Sequence, residues 1–420
     1  MTTVDPSQPR RRGPARQPHR RDVLRGGMWL AAGAVAAPWL SACSSDTPGA
    51  GAATTDYEIA TPTSPIKLPI FDDNQPIESG LEPEGASVLR VLNYAEFLAP
   101  SVLRAFEEKY GVEIQVTPYG DFEELVRRMV APGANFDVIF AGPTIMNKMV
   151  YGKLIQPFNA SYVPNIKNVW PQFQDPWYDL EAQYTAPYNV YTTGIGYRAD
   201  RVAEVPDNGY MMLWDPQYSG QISILDDGGS ALQMAMLAWG ITDDINTDNV
   251  EYINAAKEKL IELNALDVKV IINQYQTIPS GRVTVGQAWS GDLTFAESYL
   301  TGGATLEDLG YWLPESKSER QIGNETISVG KAATSPVLGH TFINYLLDNQ
   351  VAETNSAWTG YQPPISTMTP ERLIEVGIFS EILESTIVLP GDFAKGLQSV
   401  ELPVSVENLW LRAWQEVQGG

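Results

Sequence analysis

The amino-acid sequence predicts an α/β fold of two lobes, each a doubly wound sheet with helices on both faces, with hinge strands between the lobes. Short apolar strands alternate with amphipathic helices between residues 88 and 140, a pattern that is typical of parallel sheets. A second series of the same kind runs from residue 222 to residue 289. Behind its N-terminal region the chain still has about 335 residues, more than one hydrophobic core normally serves.

Residues 1–43 have the composition of an export signal, which is removed before a protein works. Seven arginines precede an apolar stretch from Met28 to Leu40 that is too short to span a bilayer. Arg20 and Arg21 open a pattern that resembles a twin-arginine signal, and the general secretory route stays an alternative. Cys43, the only cysteine, follows Leu-Ser-Ala as in a bacterial lipobox, so we expect it to carry a lipid anchor rather than to be a buried thiol.

Residues 44–86 are predicted to form a flexible tether, because Ser, Thr, Pro, Gly and Ala dominate a segment with few apolar clusters before Ile66. The apolar run Leu68–Phe71 indicates that the end of the tether lies along the folded body. The two predicted lobes follow: residues 87–193 with 325–372 form lobe 1, and residues 194–324 with 373–420 form lobe 2.

The charge of the mature chain limits the classes of partner. After residue 43 the chain keeps 21 basic and 49 acidic side chains, a net charge of −28. This balance excludes a nucleic-acid binder, which needs a basic surface. It suits a protein that collects cations, and solubility alone explains it equally well.

The first lobe begins with a repeated strand and helix alternation. Val88–Leu92 is the first predicted strand, and Pro100 suits the first turn of the following helix, which Gly111 ends. A second strand is expected at Val112–Val116, before a helix whose N-terminus Asp121 caps. Together these elements predict a βαβ unit.

The chain then crosses between the lobes. Phe136–Phe140 is the next buried strand, and the β-rich segment Tyr184–Tyr197 is predicted to contain a hinge at Thr192–Gly194. The remaining predicted elements are strands at residues 222–225, 268–272, 283–289 and 327–329, and helices at residues 230–239, 250–263 and 336–347. In such a fold, a ligand binds in the crevice at the carboxyl ends of the strands.

Common enzyme motifs are absent from the sequence. It contains no Walker loop, no dinucleotide-binding glycine motif, no nucleophile elbow and no zinc-protease motif. Outside the signal the only histidine is His340, which lies in an apolar helix and is predicted to be structural. We therefore predict no enzyme, cofactor or metal, although the pair Asp226 and Asp227 leaves a carboxylate-dependent hydrolase as a minor alternative.

Aromatic residues stand beside carboxylates at three predicted strand ends or turns: Asn93–Phe97, Trp289–Asp292 and Gly360–Pro364. Ring faces attract an organic ammonium and pack its methylenes, while a carboxylate compensates its desolvated charge. Each residue also has a structural interpretation, as core packing or as the helix cap that Asp292 could form. The recurrence at strand ends favours a shared binding site.

Several motifs in a constant order carry a family resemblance. They are Asn93–Phe97, Phe136–Ile139, Leu213–Ile222, Asp226–Asp227, Trp289–Asp292, Phe342–Leu347 and Gly360–Tyr361. From about Val88 to Gly420 the chain resembles the spermidine/putrescine-binding proteins of bacterial ABC transporters, which have the two-lobed periplasmic-binding-protein fold of type II.

The resemblance implies seven ligand-binding residues, four aromatic and three acidic: Tyr94, Phe97, Trp289, Tyr361, Asp227, Asp292 and Glu325. The positions of Tyr94 and Phe97 usually hold Trp and Tyr in the family. Ala95, Ser230 and Gly323 depart from the family pattern, which points to a shorter or different amine than spermidine. Whether Glu325 or Ser230 contacts the ligand stays open.

The function implied is that of an extracytoplasmic substrate-binding lipoprotein of an ABC importer. It would take a polyamine into the cleft between the lobes and deliver it, as a monomer, to the permease subunits at the outer face of the cell membrane. The alternatives are a solute-binding protein for an amino acid, another amine or iron, and less favourably a secreted hydrolase.

Overall fold

The computed structural model describes residues 57–419, which contain a mixed sheet of 11 strands. The predicted export signal, with Arg20, Arg21 and Cys43, lies outside the described residues. The strands are β1 (Val88–Asn93), β2 (Glu113–Pro118), β3 (Val138–Ala141), β4 (Ile155–Gln156), β5 (Ala186–Arg198), β6 (Ile222–Ile224), β7 (Lys269–Val270), β8 (Val285–Trp289), β9 (Leu309–Trp312), β10 (Gln321–Gly330) and β11 (Leu397–Gln398).

Most of the α-helices flank these strands. In chain order they are α1 (Pro100–Tyr110), α2 (Phe122–Met129), α3 (Met146–Tyr151), α4 (Gly228–Ala238), α5 (Val250–Glu262), α6 (Gln274–Thr277), α7 (Ser290–Thr294), α8 (Pro336–Leu346), α9 (Asn349–Thr359), α10 (Pro370–Glu375), α11 (Pro390–Phe393) and α12 (Val404–Gly419). Within residues 57–419, none of the helices combines the length and the apolarity needed to cross a membrane.

Two parallel groups of strands are joined by two long crossing strands. β1 lies between β2 and β3 and runs parallel to both, and β6 has the same relation to β7 and β8. β10 pairs with β3, β5 pairs with β8, and β10 and β5 pair with each other, all in antiparallel fashion. β5 continues through residues 192–194, where the sequence predicts a hinge.

Each parallel group has its own hydrophobic core. Leu89 and Phe106 are fully buried in the first core, and Ile224 and Leu232 are fully buried in the second. The predicted two-lobed α/β fold is therefore confirmed. Local signals also behave as expected, since Gly111 ends α1 with a φ of 66° and the Asp121 carboxylate accepts a hydrogen bond from Glu124 N at the start of α2.

The C-terminal part of the chain contributes to both cores. Residues 373–393, which the sequence analysis places in the second lobe, put Leu373, Phe379 and Phe393 into the first core. α12 packs Trp410 and Trp414 into the second core, and Leu397 and Leu402 also pack against it. Packing thus assigns most of residues 373–393 to the first lobe, because their apolar side chains are buried there.

The described end of the predicted tether packs against the body. Leu68 is 2% exposed, and the backbone of Ile66 exchanges hydrogen bonds with Trp177 and Leu180. The Asn74 amide donates to the Ile155 carbonyl oxygen over 2.8 Å. Residues 57–74 are therefore held in place by buried contacts, and they include the apolar run Leu68–Phe71 that is expected to lie along the folded body.

Candidate functional site

Most of the side chains that the resemblance implies lie at strand ends or in a crossing strand, and one follows a helix. They are Tyr94 and Phe97 after β1, Asp227 after β6, Trp289 and Asp292 at the end of β8, Glu325 in β10 and Tyr361 after α9. β1, β6 and β8 belong to the parallel groups, so these residues lie at the carboxyl ends where such folds bind ligands. The fold thereby brings residues far apart in sequence to one region.

Four predicted aromatic side chains belong to one chain of ring contacts. The ring centroids of Tyr94 and Phe97 lie 5.4 Å apart, and those of Phe97 and Tyr361 lie 5.2 Å apart. Tyr191 connects this group to the fourth ring, because its centroid lies 6.2 Å from Tyr361 and 6.3 Å from Trp289. These are ordinary distances for edge-to-face and tilted aromatic pairs.

Two further tyrosines contact these rings and are not predicted as site residues from the sequence. Tyr119 follows β2, and its ring centroid lies 4.5 Å from that of Tyr94. Tyr191 lies inside the long strand β5, where the sequence pattern does not distinguish a ligand-binding aromatic residue from a core residue. Tyr119 could have been found, because it directly follows a strand of the same parallel group as Tyr94. We call Tyr119, Tyr94, Phe97, Tyr361, Tyr191 and Trp289 the aromatic cluster.

Backbone contacts hold the cluster in place. The Tyr188 hydroxyl donates to the Phe97 carbonyl oxygen and accepts from the Asn355 amide over 2.7 Å. Asn355 also accepts from Ala99 N over 2.9 Å, which ties the loop after β1 to α9. A Cβ atom on Gly291 would lie 2.7 Å from carbons of the Tyr361 ring, so only glycine lets α7 approach this ring so closely.

Glu325 is a buried carboxyl group beside the aromatic cluster. It is 8% exposed, and its Oε2 atom has no hydrogen-bond partner within residues 57–419. Burial first, and the negative charge of Asp227 second, raise the pKa of Glu325 to about 8. Both causes disfavour the charged form, and no cation among the described residues offsets them.

The effect of Glu325 on the pKa of neighbouring tyrosines indicates which rings lie near it. After burial, its charge is the main cause that raises the pKa of Tyr94, Tyr119 and Tyr191 well above the usual value. Gly142 lies on its other side, since a Cβ atom there would be 3.5 Å from Glu325 Oε1. Glu325 therefore lies among the tyrosines of the cluster.

Asp292 acts as a helix cap next to the cluster. It is 3% exposed, and its Oδ2 atom accepts a hydrogen bond from Trp289 N over 3.2 Å at the start of α7. After burial, its charge is the main cause that raises the pKa of Tyr361. The structural and the functional interpretations of Asp292 are thus compatible, because the cap fixes a carboxylate close to two rings of the cluster.

Asp227 caps α4 at the edge of the same region. Its Oδ1 atom accepts from Ser230 N over 2.7 Å, and its side chain is exposed. Its charge raises the pKa of both Glu325 and Tyr191. Ser230 donates its backbone N–H to Asp227 at the start of α4. Of Ser230 and Glu325, it is Glu325 whose side chain lies among the tyrosines of the aromatic cluster.

The other sequence candidates for chemistry have structural roles. His340 is fully buried, its Nδ1 atom lies 2.7 Å from the Pro336 carbonyl oxygen, and its Nε2 atom accepts from Asn159 N. Burial lowers the pKa of His340, so the ring stays neutral. Asp226 accepts from Gln418 over 3.1 Å while Asp227 caps α4, so the two adjacent carboxylates serve different partners. Within the described residues, no group of side chains could hold a metal ion.

Comparison with known sequences gives a family match and several relatives. The family model for bacterial extracellular solute-binding proteins matches residues 101–375. The chain is 24% identical over 301 residues to spermidine/putrescine-binding periplasmic protein 1 of Haemophilus influenzae, covering 71% of this chain and 79% of that protein. It is 22% identical to the putrescine-binding periplasmic protein PotF of Escherichia coli, covering 79% and 91% of the two chains.

Solved structures show the same fold. A putative spermidine/putrescine ABC transporter protein from Listeria monocytogenes superposes with a TM-score of 0.69 at 19% identity, covering 79% of this chain and 99% of that one. The Tp0655 (TpPotD) lipoprotein of Treponema pallidum gives a TM-score of 0.66 at 17% identity, with the same coverage. These similarities establish the two-lobed fold of type II.

Proposed function

Because the chain belongs to the bacterial extracellular solute-binding proteins, we propose that it captures a polyamine, an organic cation of the spermidine or putrescine type, for an ABC importer. Such a protein binds a solute and is not an enzyme. The ligand lies beside the aromatic cluster, with its ammonium groups near Glu325, Asp292 and Asp227. Relatives that match most of this chain are named for binding spermidine or putrescine, which supports this ligand class.

The buried carboxyl group of Glu325, with its unpartnered oxygen, is the observation that supports the proposal most. An ionised acid with an unpartnered buried oxygen destabilises the protein unless a cation compensates its charge. An ammonium group supplies both the opposite charge and the missing hydrogen-bond donors. The surrounding tyrosines offer ring faces that attract the same cation and pack its methylenes.

The number and placement of the acids favour a ligand with more than one positive charge. Asp292 lies next to Tyr361 and Trp289, whereas Glu325 lies next to Tyr94 and Tyr119. Glu325 lies close to Tyr191 as well, so two separate buried acids border the aromatic cluster. A carbon chain with an amine at both ends matches this arrangement.

Localisation and delivery belong to the same proposal. We assign residues 1–43 to an export signal, Cys43 to a lipid anchor and residues 44–86 to a tether, the end of which lies along the folded body, that holds the protein at the extracytoplasmic face of the membrane. The protein then acts as a monomer that presents its ligand to the permease subunits. Intact mass of the membrane fraction should show a chain beginning at a diacylated Cys43, and Cys43→Ser should release the protein into the medium.

Isothermal titration calorimetry on the chain from residue 44 tests the ligand class. Putrescine, spermidine, agmatine and γ-aminobutyrate are the ligands to compare, and we expect the diamines to bind and to be recovered unchanged. Turnover of an amine would indicate an enzyme. Binding of γ-aminobutyrate alone, or silence with every amine, would mean that the solute belongs to another class.

A further inference from the structure

Tyr191 occupies space that a glycine leaves open on the sheet. Tyr191 in β5 and Gly323 in β10 are direct partners across the antiparallel pair. A Cβ atom on Gly323 would lie 2.7 Å from Cζ and 2.8 Å from the hydroxyl oxygen of Tyr191. The hydroxyl end of the ring therefore lies over Gly323, and only glycine leaves room for it.

This ring borders the proposed ligand region. Glu325 is two residues from Gly323 on β10, ahead of the irregularity that follows it, so both project to the same face of the sheet. On the other side, the Tyr191 ring meets Trp289 edge to face, with an interplanar angle of 67°. Tyr191 thus lies close to Glu325 and also contacts the ring of Trp289.

Neighbouring rings keep Tyr191 in this orientation. Its ring is nearly perpendicular to that of Tyr361, at 87°. With Tyr361 on one side, Trp289 on another and the backbone of Gly323 beneath, the ring has no obvious alternative position. A rigid aromatic side chain held by several contacts excludes a ligand atom from the volume it fills.

We propose that Tyr191 determines the length of the amine that the site accepts, so that the protein binds a short diamine such as putrescine in preference to the longer triamine spermidine. This inference rests on the proposed function. Its ring fills the space over Gly323 on the face of the sheet that also carries Glu325, and the additional methylenes of a longer amine would need this space. Without the ring, the bare glycine would leave a hollow in that place.

Calorimetric titration of three proteins with putrescine and spermidine tests this inference: wild type, Tyr191→Ala and Tyr197→Ala. Tyr197 is a matched control, because it lies on the same strand and its ring also covers a glycine, Gly310 of β9. The ratio of the two dissociation constants is the readout. We expect wild type to favour putrescine and Tyr191→Ala to shift the ratio towards spermidine by about tenfold or more, since a few methylenes in a pocket are worth this much.

The conservative variant Tyr191→Phe separates the volume of the ring from its hydroxyl group. It should keep the wild-type ratio, because the phenyl ring fills the same space. If Tyr191→Ala melts before it can be titrated, Tyr191→Leu replaces it, and a smaller shift in the same direction is expected.

Two results would overturn the inference in distinguishable ways. A wild-type protein that binds no amine would remove the proposed function and this inference together. A wild type that binds amines but shows no preference for putrescine, or equal ratios in Tyr191→Ala and Tyr197→Ala, would remove the inference and leave the proposed function intact.

Discussion

The carboxyl group of Glu325 couples the site to pH. Its pKa is about 8 in the folded protein, against an ordinary value of 4.5. Between these values the folded protein retains a proton that the unfolded chain has lost, so the free energy of unfolding decreases as pH rises. An amine that pairs with the charged form would reverse this cost, because it favours loss of the proton.

Glu325→Gln should therefore make the unliganded protein more stable at pH 8 than wild type, by about 1–3 kcal/mol. The amide has no charge to lose, so the decrease in stability between pH 7 and pH 8 should disappear. Chemical denaturation at a series of pH values measures this slope. Asp179→Asn is the control. Burial raises the pKa of Asp179 to about 6, so its effect on the free energy of unfolding occurs at lower pH.

A steeper or unchanged slope in Glu325→Gln would contradict the assignment of a high pKa to Glu325. The same variant should bind putrescine less tightly than wild type, since a neutral amide cannot compensate an ammonium charge. Asp179→Asn should bind as wild type does, because Asp179 accepts hydrogen bonds from Tyr184 N and Thr185 N away from the aromatic cluster.

At the scale of single residues, the sequence predicts the three acidic side chains and four of the six aromatic side chains of the aromatic cluster. It does so mostly through short motifs at strand ends. It leaves out Tyr191 and Tyr119, because a tyrosine beside or inside a strand has the same pattern as a core residue. It expects Gly323 to leave the site short of an aromatic residue. The structure shows that the ring of Tyr191 comes from the neighbouring strand and covers that glycine.

At the scale of the elements, the short helix α7 carries Asp292 into the site. Asp292→Asn should keep the helix cap, because the amide oxygen can still accept from Trp289 N. It should weaken putrescine binding by about 2–5 kcal/mol, since truncating a buried charge pair leaves the ammonium uncompensated. Calorimetry gives the change in affinity, and thermal unfolding checks that the cap survives.

Asp308→Asn is the matched control for this variant. Asp308 accepts from Thr305 N over 2.7 Å in an equivalent capping arrangement on the surface. It should leave putrescine affinity unchanged. Equal affinities in wild type, Asp292→Asn and Asp308→Asn would remove Asp292 from the site.

Elements with a clear local signal were predicted, and those that depend on distant partners were not. The helices that begin at Pro100 and Pro336 carry their own start signals. The two-residue strands β4 and β11 exist because they pair with β10, a partner far away in sequence. Residues 373–393 are predicted in the second lobe, and they pack Leu373, Phe379 and Phe393 into the first core. An apolar segment does not show from its sequence which core it enters.

At the scale of the whole molecule, the fold explains why one site collects residues from across the chain. β10 pairs with β3 of the first parallel group, β5 pairs with β8 of the second, and the two strands pair with each other. They carry Glu325 and Tyr191. The loop after β1 brings Tyr94 and Phe97 from the first lobe, while β8 and α7 bring Trp289 and Asp292 from the second. A cation held between these two sets therefore stabilises an arrangement in which the lobes approach each other.

A crystal structure of the protein with putrescine is the most direct test of the central claim, that buried acids and ring faces together make a desolvated ammonium tolerable. We expect one nitrogen of the ligand to lie within hydrogen-bond distance of Glu325 and the other near Asp292, with the carbon chain along the aromatic cluster. A putrescine molecule that leaves Glu325 and these rings untouched would contradict it.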